Sequence, residues 1–513
     1  MSSRRRFLST TLKAAGAYAL SPALIRQGNA RPDIPYGTAC GDVTRDRAII
    51  WSRTDRPARM LVEWSTSESM QSARRVRGPQ TTDAAGYTAR VDLSGLPPGQ
   101  RIFYRVHFED LADSRNRSVP AAGTFLSAPA QPRDVTFAWS ADTVGQGWGI
   151  NTAWGGLRMY ETMRLARPDF FIHTGDTIYA DSPVPAEVKL PDGTIWRNVV
   201  TAEKSKVAET LDEFRGNYTY NLLDDNMRRF NREIPQLWLW DDHEVKNNWY
   251  PGMSLEADER YKEKDVRVLA ANARRAFLEH APIRLSTAAL PPIYRSCSYG
   301  PLLDVFAMDL RTYRGPNTDN RQASPGAATV HAGAEQLAWL KRALRSSKAA
   351  WKVIASDLPI GMIVRDGPDA FEAIANADPG PPLGRELEIA DLLRYMRQER
   401  IRNVIWVTGD VHYASAHHYD PERARFKDFD PFWEFVAGPL HAGTFGPNEL
   451  DGTFGPEVRF SSVKPGAPGN RPPSDGQQFF GFTRIAARTK VMTVELRNLA
   501  GEKIYEVNLE PEP

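Results

Sequence analysis

The chain has 513 residues, 41% of them apolar and 25% charged, enough to bury a large core and to be read as two domains. Its formal charge is +2, but the first thirty residues carry five cations and no acid, so the remainder is slightly acidic and offers no polyanion groove for nucleic acid. Beyond that terminus no run is apolar enough to span a bilayer, and the two cysteines, Cys40 and Cys297, are too few for a disulfide framework or a thiolate zinc site.

Residues 1–30 read as an address. Ser3-Arg4-Arg5-Arg6-Phe7-Leu8 fits the twin-arginine pattern and is followed by a moderately apolar run from Leu12 to Leu24 and small residues at Gly28-Asn29-Ala30. The expectation is a signal peptide, a periplasmic or extracellular location, and the twin-arginine export machinery as a transient partner.

From residue 35 to 127 the pattern is short alternating runs separated by turns, such as Met60-Leu61-Val62-Glu63-Trp64 and Arg101-Ile102-Phe103-Tyr104-Arg105-Val106. This predicts a small all-β sandwich of fibronectin or immunoglobulin type. Ala128-Pro129-Ala130-Gln131-Pro132 then reads as a linker.

From 134 to 510 the rhythm becomes apolar strand, loop, amphipathic helix. Runs beginning at Val135, Phe170, Leu237, Val305, Val353 and Val404 read as buried strands, and helices are predicted near 204–230, 265–280, 334–344 and 386–398. Strands alternating with helices predict a layered α/β domain. Cys40 and Cys297 are read as buried small residues rather than a bridge.

Five of those strands are closely followed by Asp or His: Asp142, Asp176, Asp241-Asp242-His243, Asp357, and Asp410 with His412. In open α/β sheets the carboxyl ends of strands line one crevice, so these groups should converge. Each acid alone reads as a helix cap or turn former; together, like charges in one crevice need cations. Carboxylate, imidazole and phenolate donors suit iron, manganese, calcium, magnesium or zinc.

The runs Gly175-Asp176-Thr177-Ile178-Tyr179, Trp240-Asp241-Asp242-His243-Glu244, Ser356-Asp357-Leu358-Pro359 and Gly409-Asp410-Val411-His412 resemble the motifs of PhoD-type alkaline phosphatases, within the calcineurin-like metallophosphoesterase superfamily. Asp309-Leu310-Arg311-Thr312-Tyr313-Arg314 fits as well. The resemblance implies a metallophosphoesterase β-sandwich flanked by helices, hydrolysing phosphomonoesters or phosphodiesters with a metal-activated hydroxide. It implies that Asp142 and His412 hold a first metal, Asp176 bridges, and Asp242, Asp357 and Asp410 hold a second. Tyr179 would be a phenolate ligand to ferric iron, and the carboxylate-rich site would take calcium. Ser140 stands where some relatives have a cysteine ligand, which leaves manganese or zinc as alternatives at the first site.

By the same resemblance His243 contacts phosphate or protonates the leaving group, and Arg215 grips phosphate; Arg215 also reads as a solvated helix arginine. The Gly-rich loop 142–149 could bring backbone amides near an oxyanion. The segments 181–199 and 438–476 could wall the cleft. Small phosphate esters are the expected substrates. Rival readings are a phospholipase D-like enzyme acting on phospholipid head groups and a non-catalytic cell-surface binding protein.

Overall fold

A computed structural model describes residues 31–512 except 287 and 289, so the twin-arginine segment lies outside the described residues. Seven strands come first: β1 (Thr38–Gly41), β2 (Arg47–Arg53), β3 (Ala58–Ser65), β4 (Arg74–Gln80), β5 (Thr88–Ser94), β6 (Arg101–Asp110) and β7 (Ala121–Leu126). They form two facing layers, β1-β2-β5 and β4-β3-β6-β7, closed over Ile50, Val62, Leu93, Val106 and Phe125.

The larger region alternates as expected. Its strands are β8 (Val135–Ser140), β9 (Phe170–His173), β10 (Glu187–Lys189), β11 (Ile195–Arg197), β12 (Gln236–Trp238), β13 (Arg295–Ser298), β14 (Leu303–Ala307), β15 (Trp351–Ala355), β16 (Val404–Thr408), β17 (Ser415–Tyr419), β18 (Phe432–Val436), β19 (Pro456–Ser461), β20 (Phe479–Ile485), β21 (Met492–Asn498) and β22 (Lys503–Leu509). Its helices are α1 (Arg158–Ala166), α2 (Leu211–Asn221), α3 (Asp225–Glu233), α4 (Val266–His280), α5 (Ala334–Ser346) and α6 (Glu386–Gln398).

One sheet has the order β22-β21-β20-β8-β9-β12-β1-β2-β5, and the other β13-β14-β15-β16-β18-β17-β19. In the first, β8, β9 and β12 are parallel; in the second, β14, β15, β16 and β18 are. Alternation of side chains explains the layering. Phe137, Trp139, Ile172 and Leu237 face Val305, Val353, Ile405 and Phe435 across the sandwich. Their intervening neighbours Ala138 and Phe171 turn outward onto Met159 and Met163 of α1 and Phe230 of α3. On the second sheet Phe306, Ile354 and Trp406 turn onto Leu340 of α5 and Leu393 of α6. Burying each such large side chain contributes about 1.5–3 kcal/mol, so both faces of both sheets stabilise the stack.

Three local readings change. The predicted helix over 204–230 is broken at 222–224: Thr210 caps α2 with a capping box to Glu213, and Asp224 caps α3 by accepting from the Met227 amide at 3.0 Å. The helix at 158–166 had no prediction. The N-terminal sandwich is also less separate than a linked module, because β1 pairs in parallel with β12 at Gly41 and Gln236 and extends the catalytic sheet. Gly41 permits that approach, since a Cβ there would collide with the Gln236 and Pro282 carbonyl oxygens. Ala128, in the expected linker, is buried and donates its amide to the Thr44 carbonyl at 3.2 Å.

Both cysteines are buried and unpaired, and burial raises each thiol to about 12. Among the described residues no helix is long and apolar enough to cross a membrane.

Candidate metal centre

The parallel strands of both sheets end at one place. Asp142 follows β8, Asp176 and Tyr179 follow β9, Asp241, Asp242 and His243 follow β12, Asp309 and Arg311 follow β14, Asp357 follows β15, and Asp410 and His412 follow β16. Asp142, Asp176, Asp410 and His412 all have positive φ, between 54° and 69°. Non-glycine residues in that region cost energy, and such strain concentrates where side chains must be aimed rather than where the chain merely turns. Gly438 lets the neighbouring loop close over Asp142, because a Cβ there would strike the Asp142 carboxylate.

Metal-donor atoms of Asp142, Asp176 and His412 lie within 4.8 Å of one another, as do those of Asp176, Asp242 and His243, and those of Asp241, Asp242 and Asp410. Asp176 belongs to the first two groups, as a bridge between two sites requires. Tyr179 joins the first: its hydroxyl is 2.8 Å from His412 Nε2 and 3.4 Å from Asp142 Oδ1. His412 Nδ1 donates to the Gly443 carbonyl at 2.6 Å, which fixes the tautomer and leaves Nε2 an acceptor facing the Tyr179 hydroxyl. Burial lowers the His412 imidazole to about 4, so it is neutral at pH 7. Asp142 Oδ2 is buried without a hydrogen-bond partner. A lone carboxylate oxygen, a neutral imidazole nitrogen and a phenol oxygen turned toward one point fit a cation.

Burial also pushes Asp142, Asp176, Asp241 and Asp410 well above the usual carboxylate range, with neighbouring acids adding to the effect. Bound cations reverse that tendency.

The carboxylate-rich side is built differently from the expectation. Arg311, with 0% of its side chain exposed, sits among the acids. It lies 2.6 Å from Asp241, 3.0 Å from Asp357 and 3.5 Å from Asp410, and it also pairs with Glu372. Asp357 is therefore bound first to a guanidinium, through Oδ2, while its Oδ1 and Asp241 Oδ2 are buried and unpartnered. Five acids, counting Asp242, around one arginine leave an excess of negative charge and two orphan oxygens, which fits a further hard cation.

Two carboxylates organise the loops without entering the donor groups. Glu244 accepts from the amides of Asp176 at 3.2 Å, Thr177 at 2.6 Å and Asp241 at 2.8 Å, and from the Thr177 hydroxyl at 2.6 Å. It thus ties the β9 loop to the β12 loop. Asp181 accepts from His243 Nδ1 at 2.6 Å and from the Asn247 amide at 2.9 Å. Burial alone would lower His243, but Asp181, Asp242 and Asp176 outweigh it and hold the imidazole well above its ordinary value. The Tyr179 ring covers His243 at 4.2 Å.

Several expected contacts fall elsewhere. Arg215 is turned away from the cluster: Nε and Nη2 bind Glu279 at 2.7 and 2.8 Å, and Nη1 binds Asp212 at 2.8 Å. It lines a surface cavity of about 390 Å³ with Tyr36, Arg53 and Tyr87, where no donor residue appears. Its side chain is 13% exposed, and Nη2 also donates to the Ala84 carbonyl at 2.7 Å. In the Gly-rich loop the amides of Val144 and Gly145 donate to the His441 carbonyl and that of Gly149 to Asn198 Oδ1. Ser140 donates to the Phe479 carbonyl at 2.8 Å, so it adds no ligand. The segment 181–199 does form a hairpin, β10–β11, whose Trp196 packs on Trp148, Trp154 and His441.

Sequence reasoning placed Asp241 among the converging acids without making it a ligand, and gave no role to Asp181, Glu244, Arg311 or Glu372. Asp241 and Glu244 flank the expected ligands in one run, and Arg311 lies in a quoted motif, so the signal was present for three. Asp181 and Glu372 come from loops without a local pattern.

The chain also matches known proteins. The profile of PhoD-like phosphatases matches residues 137–496, and that of the N-terminal domain of PhoD-like phosphatases matches residues 19–129. The chain is 28% identical over 485 residues to alkaline phosphatase D of Bacillus subtilis (strain 168), covering 87% of this chain and 77% of that protein. Its fold is similar to a solved structure of PhoD, with a TM-score of 0.68 at 20% identity over 93% of this chain and 89% of that one. It is also similar to the purple acid phosphatase PPD1 from yellow lupin (Lupinus luteus) seeds, with a TM-score of 0.55 at 12% identity over 94% and 74% of the two chains.

Proposed function

The chain belongs to the PhoD-like phosphatase family and is a phosphoester hydrolase, and from that premise we propose that Asp142, Asp176, Tyr179 and His412 hold a first metal, with Asp242, Asp410 and Asp357 serving a second. The observation that carries this reading is the meeting of Tyr179 Oη and His412 Nε2 at 2.8 Å beside the unpartnered Asp142 Oδ2. A phenolate donor favours Fe3+ at the first site, with Mn2+ or Zn2+ as alternatives in the absence of a thiolate, and the carboxylate excess favours Ca2+ at the second.

Bound metals would supply Lewis acidity, activating a water and offsetting the charge of the phosphoryl oxygens. The protein's own groups do the rest. Asp181 fixes His243 through Nδ1, so Nε2 is the atom left to bind a phosphoryl oxygen or to give a proton to the departing alkoxide. Arg311 holds the carboxylates of three loops at fixed separations. Glu244 keeps the bridging Asp176 in register with Asp242.

Phosphate esters are the substrate class, and phospholipid head groups fall within it. The basic Ser3–Leu8 run supports export by the twin-arginine route to the periplasm or beyond.

Elemental analysis and the visible spectrum of protein folded in its native host test the assignment. Iron at about one per chain should come with a phenolate charge-transfer band. That band should vanish in Tyr179→Phe. Iron without a band, or a band unchanged in the variant, would remove Tyr179 from the ligand set.

A further inference from the structure

Phe445 is one of the few large apolar side chains left exposed, at 36%, and it lies against the metal centre rather than on a remote surface. Its ring meets the imidazole of His412 edge to face, with centroids 5.4 Å apart and planes at 70°. Its position is fixed from both sides of the loop. His412 Nδ1 donates to the Gly443 carbonyl, and Thr444 pairs with Arg471 while its hydroxyl donates to the Gln477 carbonyl at 2.7 Å. Asn470, next to Arg471, accepts from Trp148 Nε1 at 2.8 Å, so the Gly-rich loop braces the same wall. Gly469 packs beside the ring: a Cβ there would stand 3.1 Å from Phe445 Cδ1.

An exposed phenyl ring is unfavourable in water unless something covers it, and this one stands partly open beside the buried His412. Asp410 and Asn248, whose amide donates to Asp242, are partly exposed and polar. An ester substituent carried on a phosphoryl group at the metals would find in Phe445 an apolar, flat surface on the His412 side.

Resting on the phosphoester hydrolase reading, we propose that Phe445 is a specificity-determining residue that stacks on a planar aromatic substituent of the phosphate ester, an aryl or nucleobase group. Aromatic rings gain from offset or edge-on contact beyond the area they bury, and every planar ring offers such a face, so the preference is for aromatic over small alkyl esters rather than for one base. Phe445 contributes no charge and touches no reacting atom, so it selects the substituent without altering the chemistry.

Calorimetric titration of the metal-loaded protein with phenylphosphonate and methylphosphonate tests this, because both present the same phosphonate to the metals and only one carries a ring. Wild type should bind phenylphosphonate more tightly. Phe445→Ala should weaken phenylphosphonate about tenfold and methylphosphonate less than about twofold, and Phe445→Trp should keep the ring preference. A wild type that does not distinguish the two ligands would overturn the proposal, as would equal loss of both in Phe445→Ala, which would mark a structural role. Folded wild type that binds both phosphonates but hydrolyses no phosphate ester would count against the hydrolase reading, and ring discrimination would still be decided by the same titrations.

Discussion

At the scale of single residues, the site rests on pairs in which a buried carboxylate fixes a side chain proposed to act on the substrate. His243 is the clearest. Asp181 accepts from Nδ1 at 2.6 Å and Tyr179 covers one ring face, so neither tautomer nor orientation is free. Removing the imidazole should lower kcat by about a hundredfold or more, the range for a lost acid–base group. Asp181→Asn keeps the shape but weakens the hold; kcat should fall by about tenfold to a hundredfold while metal content stays at the wild-type value. Loss of metal in Asp181→Asn would show that Asp181 supports the cluster instead of His243. Arg311 is the other decisive residue. Five acids could not share one buried place without it, and its guanidinium explains why several loops can be so acidic before any cation arrives.

At the scale of elements, Thr210, Asp224 and Asp265 cap the starts of α2, α3 and α4, and the first turn of α6 carries a titration. Glu386, in the first turn of α6, is buried and accepts from Asn376 Nδ2 and the Leu383 amide, both at 3.1 Å. Burial, with Asp451 nearby, raises it to about 8. Its unfolded value is about 4.3, so between these values the folded chain keeps a proton that the unfolded chain releases, and stability falls as pH rises through that window. Glu386→Gln keeps both acceptor contacts and has no such loss. Denaturant titrations at pH 5 and pH 8 should therefore show the variant gaining on wild type as pH rises, with a slope no steeper than about 1.4 kcal/mol per pH unit. A constant difference across that range would refute the buried, protonated state. The strands were legible from sequence because sheets covered on both faces leave continuous apolar runs, as in Val404–Thr408. The nine-residue helix α1 was not, since it follows a glycine pair and begins without a side-chain cap.

At the scale of the whole molecule, two sheets stack so that parallel strands from both point their carboxyl ends at one opening, and the donor set was legible because acids and histidines follow those ends. What could not be read was the partnering across the gap. Arg311 of one sheet meets Asp241 of the other, 70 residues away, and Trp240 donates to Asp309 at 2.9 Å. Nor does local pattern reveal that β1 joins β12, because one backbone pairing decides it. On the proposed assignment the chemistry depends on that whole arrangement through one shared ligand, Asp176. The most direct test is phosphate release from nitrophenyl phosphate by the purified chain and by Asp176→Ala, with circular dichroism to confirm folding. The wild type should lose activity on chelation and regain it with metal, and folded Asp176→Ala should stay at background under both conditions. Wild-type-like release by Asp176→Ala would contradict the metal-bridged site.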